Sequence, residues 1–462
     1  MSERKKKKLA LHWKILIGMA LGVVFSLLLL STSWGSSMTT YLVNGEETPI
    51  NKAELFVRHW IKPFGNMFIN ALKLIAVPLI LGSLIKGVSD LKDISKLSKM
   101  GLRTIMTYLA TTIIAVSIGL IIVNIVQPGK TISSETRDVL LENYSGKAQE
   151  KIKSASEQKE SGPLRALEDL IPDNIFAAAT DNGNMLQVIV FAIFFGIGLI
   201  LISDDKSAPV KAFFDGFNEV ILKLIDLIML VAPIGVFALM AGLVVESPSQ
   251  DLFVGLFWYA ISVVIGLLLM IIIYTLLVYV FTRKTPKFFL NGISPAQLLA
   301  FSTSSSAATL PVTMERVEEH LGVKEEVTSF VLPIGATINM DGTSLYQAVA
   351  AIFIAQVFGM DLDLYAQLGI IATATLASIG SAAVPGAGMV MLVIVLAQAG
   401  IPEAGLALIF AIDRPLDMLR TTVNVTGDAA VSMIIAKSVG KLGDPQVRDW
   451  DDHYGEKPLD HV

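Results

Sequence analysis

Apolar runs of bilayer length recur along the first two thirds of this chain, separated by short polar stretches. They cover Ile15 to about Leu30, then 56–88, 104–128, 186–202, 227–245 and 252–282. About 20 apolar residues cross a hydrocarbon core as a helix, so the pattern predicts six spans. The second contains Pro63, Lys73 and Pro78 and is long enough to be tilted or broken. The third is uncharged, with Tyr108, Thr111 and Thr112 at its entry. Taken alone, such hydroxyls bond back to their own helix. An amphipathic stretch leads into the fifth, with Asp215, Glu219 and Lys223 at helical spacing.

Beyond Lys287 the pattern changes. Residues 288–314 are uncharged but interrupted by STSSSAAT and Pro311, too broken for one ordinary spanning helix. A hairpin that enters and leaves on the same side fits better. A charged loop follows at 314–326, then a span over 327–358 interrupted by Asn339-Met340-Asp341-Gly342-Thr343. The next uncharged stretch, 364–402, is broken by SIGSAAVPGAG, and a final helix covers 411–437. Two units thus match: each is a Ser- or Gly-rich broken hairpin followed by a helix with a polar motif. Paired broken segments mark a transporter binding site, because irregular backbone at membrane depth must line a cavity or be buried in protein.

The last helix carries the chemistry. Asp413, Asp417, Arg420, Asn424 and Asp428 are spaced 4, 3, 4 and 4 apart, which at roughly 100° per residue places them within about 80° of one face. In water this would be a solvated stripe. In lipid each charge costs about 2.5–3.5 kcal/mol, so the stripe must face a protein interior.

Composition agrees with a polytopic membrane protein: 53% of the 462 residues are hydrophobic and 17% charged, against about 25% in a soluble domain. Mean hydropathy is +0.63. The net charge of −5 says little, since most charges lie in loops and tails. There is no cysteine, hence no disulfide, thiolate nucleophile or Cys metal site. No two of the five histidines have metal-ligand spacing. Basic clusters at MSERKKKK, at Lys92, Lys96, Lys99 and Arg103, and at Arg283, Lys284 and Lys287 assign those segments to the cytoplasm. A cleaved signal peptide is the competing reading of the N-terminus, but no clear small-x-small site follows it. Trp34 and Trp60 suit the outer interface, and 130–170 reads as an external loop with a sequon at Asn143-Tyr144-Ser145 that matters only in a eukaryotic source.

Charge decides the ligand class. Asp341, Asp413, Asp417 and Asp428 oppose Arg414 and Arg420, leaving two buried negative charges uncompensated, or more if Arg414 reaches the interface. Oxygen-rich surroundings without His or Cys suit a hard alkali cation. Arg420 offers a fork for a carboxylate, and Asp417, one turn away, suits an ammonium. Together they describe an acidic amino acid.

The motifs TSSSAATLP, GATINMDGT, ASIGSAAVPGAG and DRPLDMLRTTVNVTGD, in this order, resemble the dicarboxylate/amino acid:cation symporter family, the glutamate transporter homologues. The resemblance is densest over 296–437. It implies an all-α polytopic membrane protein of eight transmembrane helices and two re-entrant hairpins built as inverted repeats. It also implies a homotrimer in the cell membrane with cytoplasmic termini. Scaffold helices 1–2 would occupy 12–94 and scaffold helices 4–5 would occupy 171–247, the latter mediating trimerisation. Helix 3 (95–130) would belong to a transport domain sliding as an elevator. An external loop would fill 131–170. The rest of the transport domain would cover 250–440, with hairpin 1 at about 292–316, helix 7 at 325–359, hairpin 2 at 363–402 and helix 8 at 404–437. A cytoplasmic tail would take 441–462.

The family's substrate contacts fall on Arg420 for the side-chain carboxylate and Asp417 for the amine, with Asn424, Thr421 and Thr343 adding polar contacts. Backbone near Ser305, Ser306, Val384 and Gly388 would hold the α-carboxylate. Three sodium sites are implied. One uses Gly335, Asn339, Asn424 and Asp428. A second uses Thr337, Met340, Ser378, Ile379 and Ser381, partly through carbonyls. A third uses Tyr108, Thr111, Thr112, Asn339 and Asp341. The expected partners are L-aspartate or L-glutamate, Na+, the lipid bilayer and further copies of the chain, with no nucleic acid.

The chain departs from the pattern in places. Gln347 stands where proton- and potassium-coupled animal members have glutamate, which favours coupling to sodium alone. Ala307 replaces a serine, and Ser304 and Met418 stand where members carry an arginine. Arg414 is the candidate replacement. The rival substrates are a C4-dicarboxylate, moved with protons or sodium, and a neutral amino acid. Asp417 argues against the first, having no amine to meet, and Arg420 against the second. A primary ion channel would not need Arg420 in the stripe. An intramembrane enzyme would need a nucleophile–base pair, which the spans lack.

Overall fold

The computed structural model describes residues 11–43, 46–90, 98–133, 171–180, 185–246, 250–379, 381 and 383–445. The basic N-terminus, most of the 131–170 loop with its sequon, and the tail from 446 lie outside the described residues. Two bodies of helices stand side by side. The first comprises α1 (Leu11–Ser31), α2 (Lys62–Asp90), α4 (Met185–Leu201) and α5 (Asp204–Glu246). The long α5 packs along both α2 and α1, and α4 lies on α2. The second body contains α3 (Ser98–Val126), α6 (Gln250–Thr282), α7 (Pro286–Thr303), α8 (Ser306–Glu315), α9 (Glu325–Ile338) and α10 (Asp341–Val357). It is completed by α11 (Leu364–Ile379), α12 (Ala387–Gln398) and α13 (Leu406–Ser438). Helix α13 is its axis: α6, α7, α9 and α10 all pack on it, and α3 lies against α10 and α6. The bodies meet where α5 and α1 touch α13 and where α12 touches α2.

Four described helices are long and apolar enough to cross a membrane: Lys52–Ser89, Met100–Thr131, Asp204–Gly242 and Asp251–Thr282. Shorter apolar helices occupy Ile17–Ser31, Gln187–Leu201, Leu364–Ser378 and Ala387–Gln398. Their outward faces are apolar, with Leu74 at 73% and Ile125 at 76% exposure, as expected of side chains that face lipid rather than water.

Three features correct the sequence reading. An antiparallel hairpin of β1 (Met38–Val43) and β2 (Glu46–Asn51) follows α1, with Met38 opposite Asn51, so the chain is not wholly helical. The expected charged loop at 314–326 is largely helical. Helix α8 runs to Glu315 and continues as a π-helical turn over Arg316–His320, with Glu319 buried. Its end pairs with the C-terminal segment: Val323 bridges Leu442, and Gly443 N–H donates to Gly322 O at 2.8 Å. Arg414 is buried inside the protein and paired with Asp417 rather than exposed.

Candidate functional site

The two interrupted hairpins bring their tips together. Helix α7 ends where Ser304 takes a left-handed conformation, φ 53°. Ser305 then caps α8, its hydroxyl accepting from Ala308 N–H at 3.1 Å, the ordinary role of serine before a helix. The same hydroxyl donates to Ala383 O at 2.6 Å, tying the first tip to the second. The second tip turns at Gly386, φ 82°, where a Cβ would be strained. Its backbone then passes close over α13: a Cβ on Gly388 would stand 3.0 Å from Thr343 Cγ2 and 3.5 Å from Arg420 Nη2.

Helix α9 stops at Asn339-Met340 and α10 begins at Asp341, so the interruption is two residues rather than the five of the motif. A break of this kind frees carbonyls on one side and amides on the other. Asn424 of α13 repairs part of it: Gly342 N–H donates to Asn424 Oδ1 at 2.8 Å. A Cβ on Gly342 would meet Arg420 O at 2.5 Å, so glycine is required for α10 to approach α13 this closely.

One small pocket opens between the tips and the stripe. It is lined by Ser304, Ser306, Met340, Thr343, Ser381, Ala383, Val384, Gly388, Asp417, Thr421 and Asn424. All but Ser304 and Ala383 of these are among the expected ligands. Ser305 contributes through its bond to Ala383 rather than as lining.

Arg420 lies just behind the pocket, fully buried. Its Nη1 donates to Asp413 Oδ1 at 2.9 Å and its Nη2 to Asp417 Oδ1 at 2.8 Å, while the guanidinium stacks 3.8 Å from the Tyr346 ring centre. Asp413 and Tyr346 were not among the expected site residues. Asp413 already stands on the stripe, seven residues before Arg420 on the same face, but carried no ligand role. Tyr346 carries no signal in the linear chain. Asp417 Oδ2 accepts from Arg414 Nη1 at 3.0 Å and from Gly386 N–H at 3.2 Å.

The expected cation ligands form clusters of unequal completeness. Asn339 Nδ2 donates to Asp428 Oδ1 at 2.8 Å and to Asn424 O at 3.3 Å. Gly335 lies so close that a Cβ there would collide with Asp428 and the Tyr108 hydroxyl. Asn339 Oδ1 is buried without a hydrogen-bond partner among the described residues. In the third set Thr112 Oγ1 donates to Asp341 Oδ1 at 2.5 Å, and Thr111 Oγ1 donates to Tyr108 O at 3.0 Å. The Tyr274 hydroxyl also donates to Asp341 Oδ2, a partner that an unremarkable tyrosine in an apolar span did not announce. The second set is the loosest. Met340 and Ser381 share the pocket wall, while Ser378 Oγ donates to Thr375 O and Ile379 ends α11. Thr337 is exposed, with its hydroxyl on Ile334 O at 2.9 Å, so its side chain is not gathered in.

The site is therefore an oxygen-rich interior with buried carboxylates, two arginines and two hairpin tips. A model of the sodium:dicarboxylate symporter family matches residues 11–438. Excitatory amino acid transporter 1 of Ambystoma tigrinum is 38% identical over 416 residues, covering 80% of this chain and 76% of its own. The proton/sodium-glutamate symport protein of Geobacillus stearothermophilus is 32% identical over 454 residues, covering 96% and 98%. The proton/glutamate-aspartate symporter of Escherichia coli K12 is 32% identical over 438 residues, covering 94% of each. With these matches and its apolar helices, the chain is a multi-pass membrane protein that belongs to the sodium:dicarboxylate symporter family.

Proposed function

We propose that this protein is a secondary active symporter that carries an acidic amino acid, L-aspartate or L-glutamate, into the cell with sodium ions. The observation that carries the reading is Asp417 on the wall of a pocket between two hairpin tips, paired with Arg420 just behind it. The fork of Arg420 takes the side-chain carboxylate and Asp417 takes the amine. Thr343, Thr421 and Asn424 add polar contacts, and backbone at Ser305–Ser306 and Val384–Gly388 receives the α-carboxylate.

Sodium is cargo. Asp428 with Asn339, Gly335 and Asn424 makes one site. Asp341 with Tyr108, Thr111, Thr112 and Asn339 makes another. Met340, Ser378, Ile379, Ser381 and the backbone of Thr337 make a third. Asn339 Oδ1, buried without a hydrogen-bond partner among the described residues, is an acceptor for a cation. The ions at Asp428 and Asp341 each answer a buried carboxylate, the third lies among hydroxyls and carbonyls, and ion and substrate binding are coupled through the shared Asn339, Asn424 and Met340.

Transport proceeds as an elevator. The body built on α1, α2, α4 and α5 is the trimeric scaffold in the bilayer of the cell membrane. The body built on α13 carries the site across it, with both termini cytoplasmic. Uptake of labelled L-aspartate and L-glutamate into proteoliposomes, with an inward sodium gradient and with potassium in its place, tests the reading. The expected result is uptake that collapses without sodium and is competed by the other acidic amino acid. Uptake that follows a proton gradient without sodium overturns the sodium assignments.

A further inference from the structure

Asp417, the residue assigned to the substrate amine, is already engaged through both oxygens. Its Oδ1 accepts from Arg420 Nη2 at 2.8 Å, and its Oδ2 accepts from Arg414 Nη1 at 3.0 Å and Gly386 N–H at 3.2 Å. A carboxylate has about four acceptor positions, and here two guanidiniums and an amide already use three. An ammonium entering beside both arginines would have to compete with them for the oxygens of this one buried carboxylate. Either the amine binds weakly or one arginine leaves.

Arg420 is the less free to go. It is fully buried, holds Asp413 as well as Asp417, and stacks on Tyr346. Arg414 has a single described side-chain bond, to Asp417, where Arg420 has two. Its Nη1 and the Gly386 amide of the second hairpin tip converge on the same oxygen, so the guanidinium lies beside the backbone assigned to the α-carboxylate.

We propose that Arg414 is a specificity-determining residue that exchanges partners when substrate binds. The amine takes the place of Arg414 on Asp417, and Arg414 turns to the α-carboxylate that arrives with the amine. The Arg414–Asp417 pair becomes two, ammonium with Asp417 and Arg414 with the α-carboxylate, while the side-chain carboxylate goes to Arg420. The zwitterionic end of an amino acid supplies both halves of the exchange. A dicarboxylate supplies only an anion and leaves Asp417 without a replacement for Arg414. The inference rests on the substrate class proposed above and adds to it a second cationic contact.

The test is binding to the purified full-length protein by calorimetry in saturating sodium, for the parent, Arg414→Gln and Arg414→Lys. The ligands are L-aspartate and β-alanine, which is aspartate without its α-carboxylate, the latter measured by competition. Arg414→Gln is expected to weaken L-aspartate roughly 10- to 100-fold while moving β-alanine by less than about threefold, so the preference between the two shrinks. Arg414→Lys is expected to recover part of the aspartate affinity, and it carries the test alone if the glutamine variant does not elute as a monodisperse protein. L-Aspartate binding that is unchanged or tighter in the variants overturns the exchange. Equal weakening of both ligands also overturns it, since the arginine would then act only by holding Asp417. A parent protein that binds no L-aspartate in sodium overturns the substrate assignment, and the exchange with it.

Discussion

Asn339 and Asp428 are joined across the site by a 2.8 Å hydrogen bond from Nδ2 to Oδ1. One lies in the break between α9 and α10, the other on α13. The bond spends the amide's donor and leaves its oxygen and the second carboxylate oxygen for a cation. Asp428→Asn keeps the shape and removes the charge. It is expected to raise the sodium concentration for half-maximal substrate binding at least tenfold, with little change in the limiting rate at saturating sodium. Sodium titrations of substrate binding measure it, and an unchanged sodium dependence would sink this cation site.

Arg420 has two roles that two substitutions separate. Arg420→Ala leaves Asp413 and Asp417 buried without their shared cation, a loss of about 3–5 kcal/mol for broken buried pairs. It is expected both to lower the thermal transition and to abolish uptake. Arg420→Lys keeps the charge but loses the fork and the stacking on Tyr346. It is expected to stay near the parent in thermal stability while losing acidic substrate by at least about tenfold. Normal aspartate uptake by the lysine variant refutes the carboxylate assignment.

Gln347 is buried, with Nε2 on Gly388 O at 3.3 Å and Oε1 without a partner among the described residues. In Gln347→Glu a carboxylate would face the Gly388 carbonyl, and the bond to the second tip returns only with a proton. Transport is expected to become pH-dependent, with substrate binding strengthened toward acid pH. A flat profile across pH 5–8, the range in which a perturbed carboxyl of this kind titrates, contradicts this account.

Lys73 sits near the middle of the helix Lys52–Ser89 and forms an ion pair with Glu403, at the start of α13. The two residues belong to different bodies. In the elevator motion proposed above, the α13 body slides along the other body, and this pair must break as it does. Glu403→Gln is expected to shift the resting distribution between the two positions of the α13 body and to change the transport rate by a factor of about three to ten, leaving substrate affinity unchanged. Distances between spin labels on α2 and α13 report the shift, and an unmoved distribution rejects it.

Gly342 tests the packing itself. Gly342→Ala forces a Cβ against Arg420 O at 2.5 Å and separates Gly342 N–H from Asn424 Oδ1. Backbone cannot yield cheaply, so a loss of about 1–3 kcal/mol is expected, read as a lower thermal transition together with weaker substrate binding.

Sequence alone placed the apolar helices, the two interrupted segments and the stripe of α13, because helix periodicity and the cost of polar groups in lipid are local rules. It also placed Arg420, Asp417, Asn424 and Asp428 on one face, since residues three or four apart on a helix are neighbours whatever surrounds them. It did not show the β1–β2 hairpin, whose strands are short and depend on each other, nor the helical form of 314–320. Tertiary structure decided who meets across elements: Ser305 with Ala383, Tyr274 and Thr112 with Asp341, Tyr346 with Arg420, and Arg414 with Asp417 rather than with an interface. Those partners are tens to hundreds of residues apart or depend on which rotamer a buried side chain adopts. Linear spacing carries no information about either, and only the folded chain, by excluding lipid and water from one small volume, makes each buried charge find its partner.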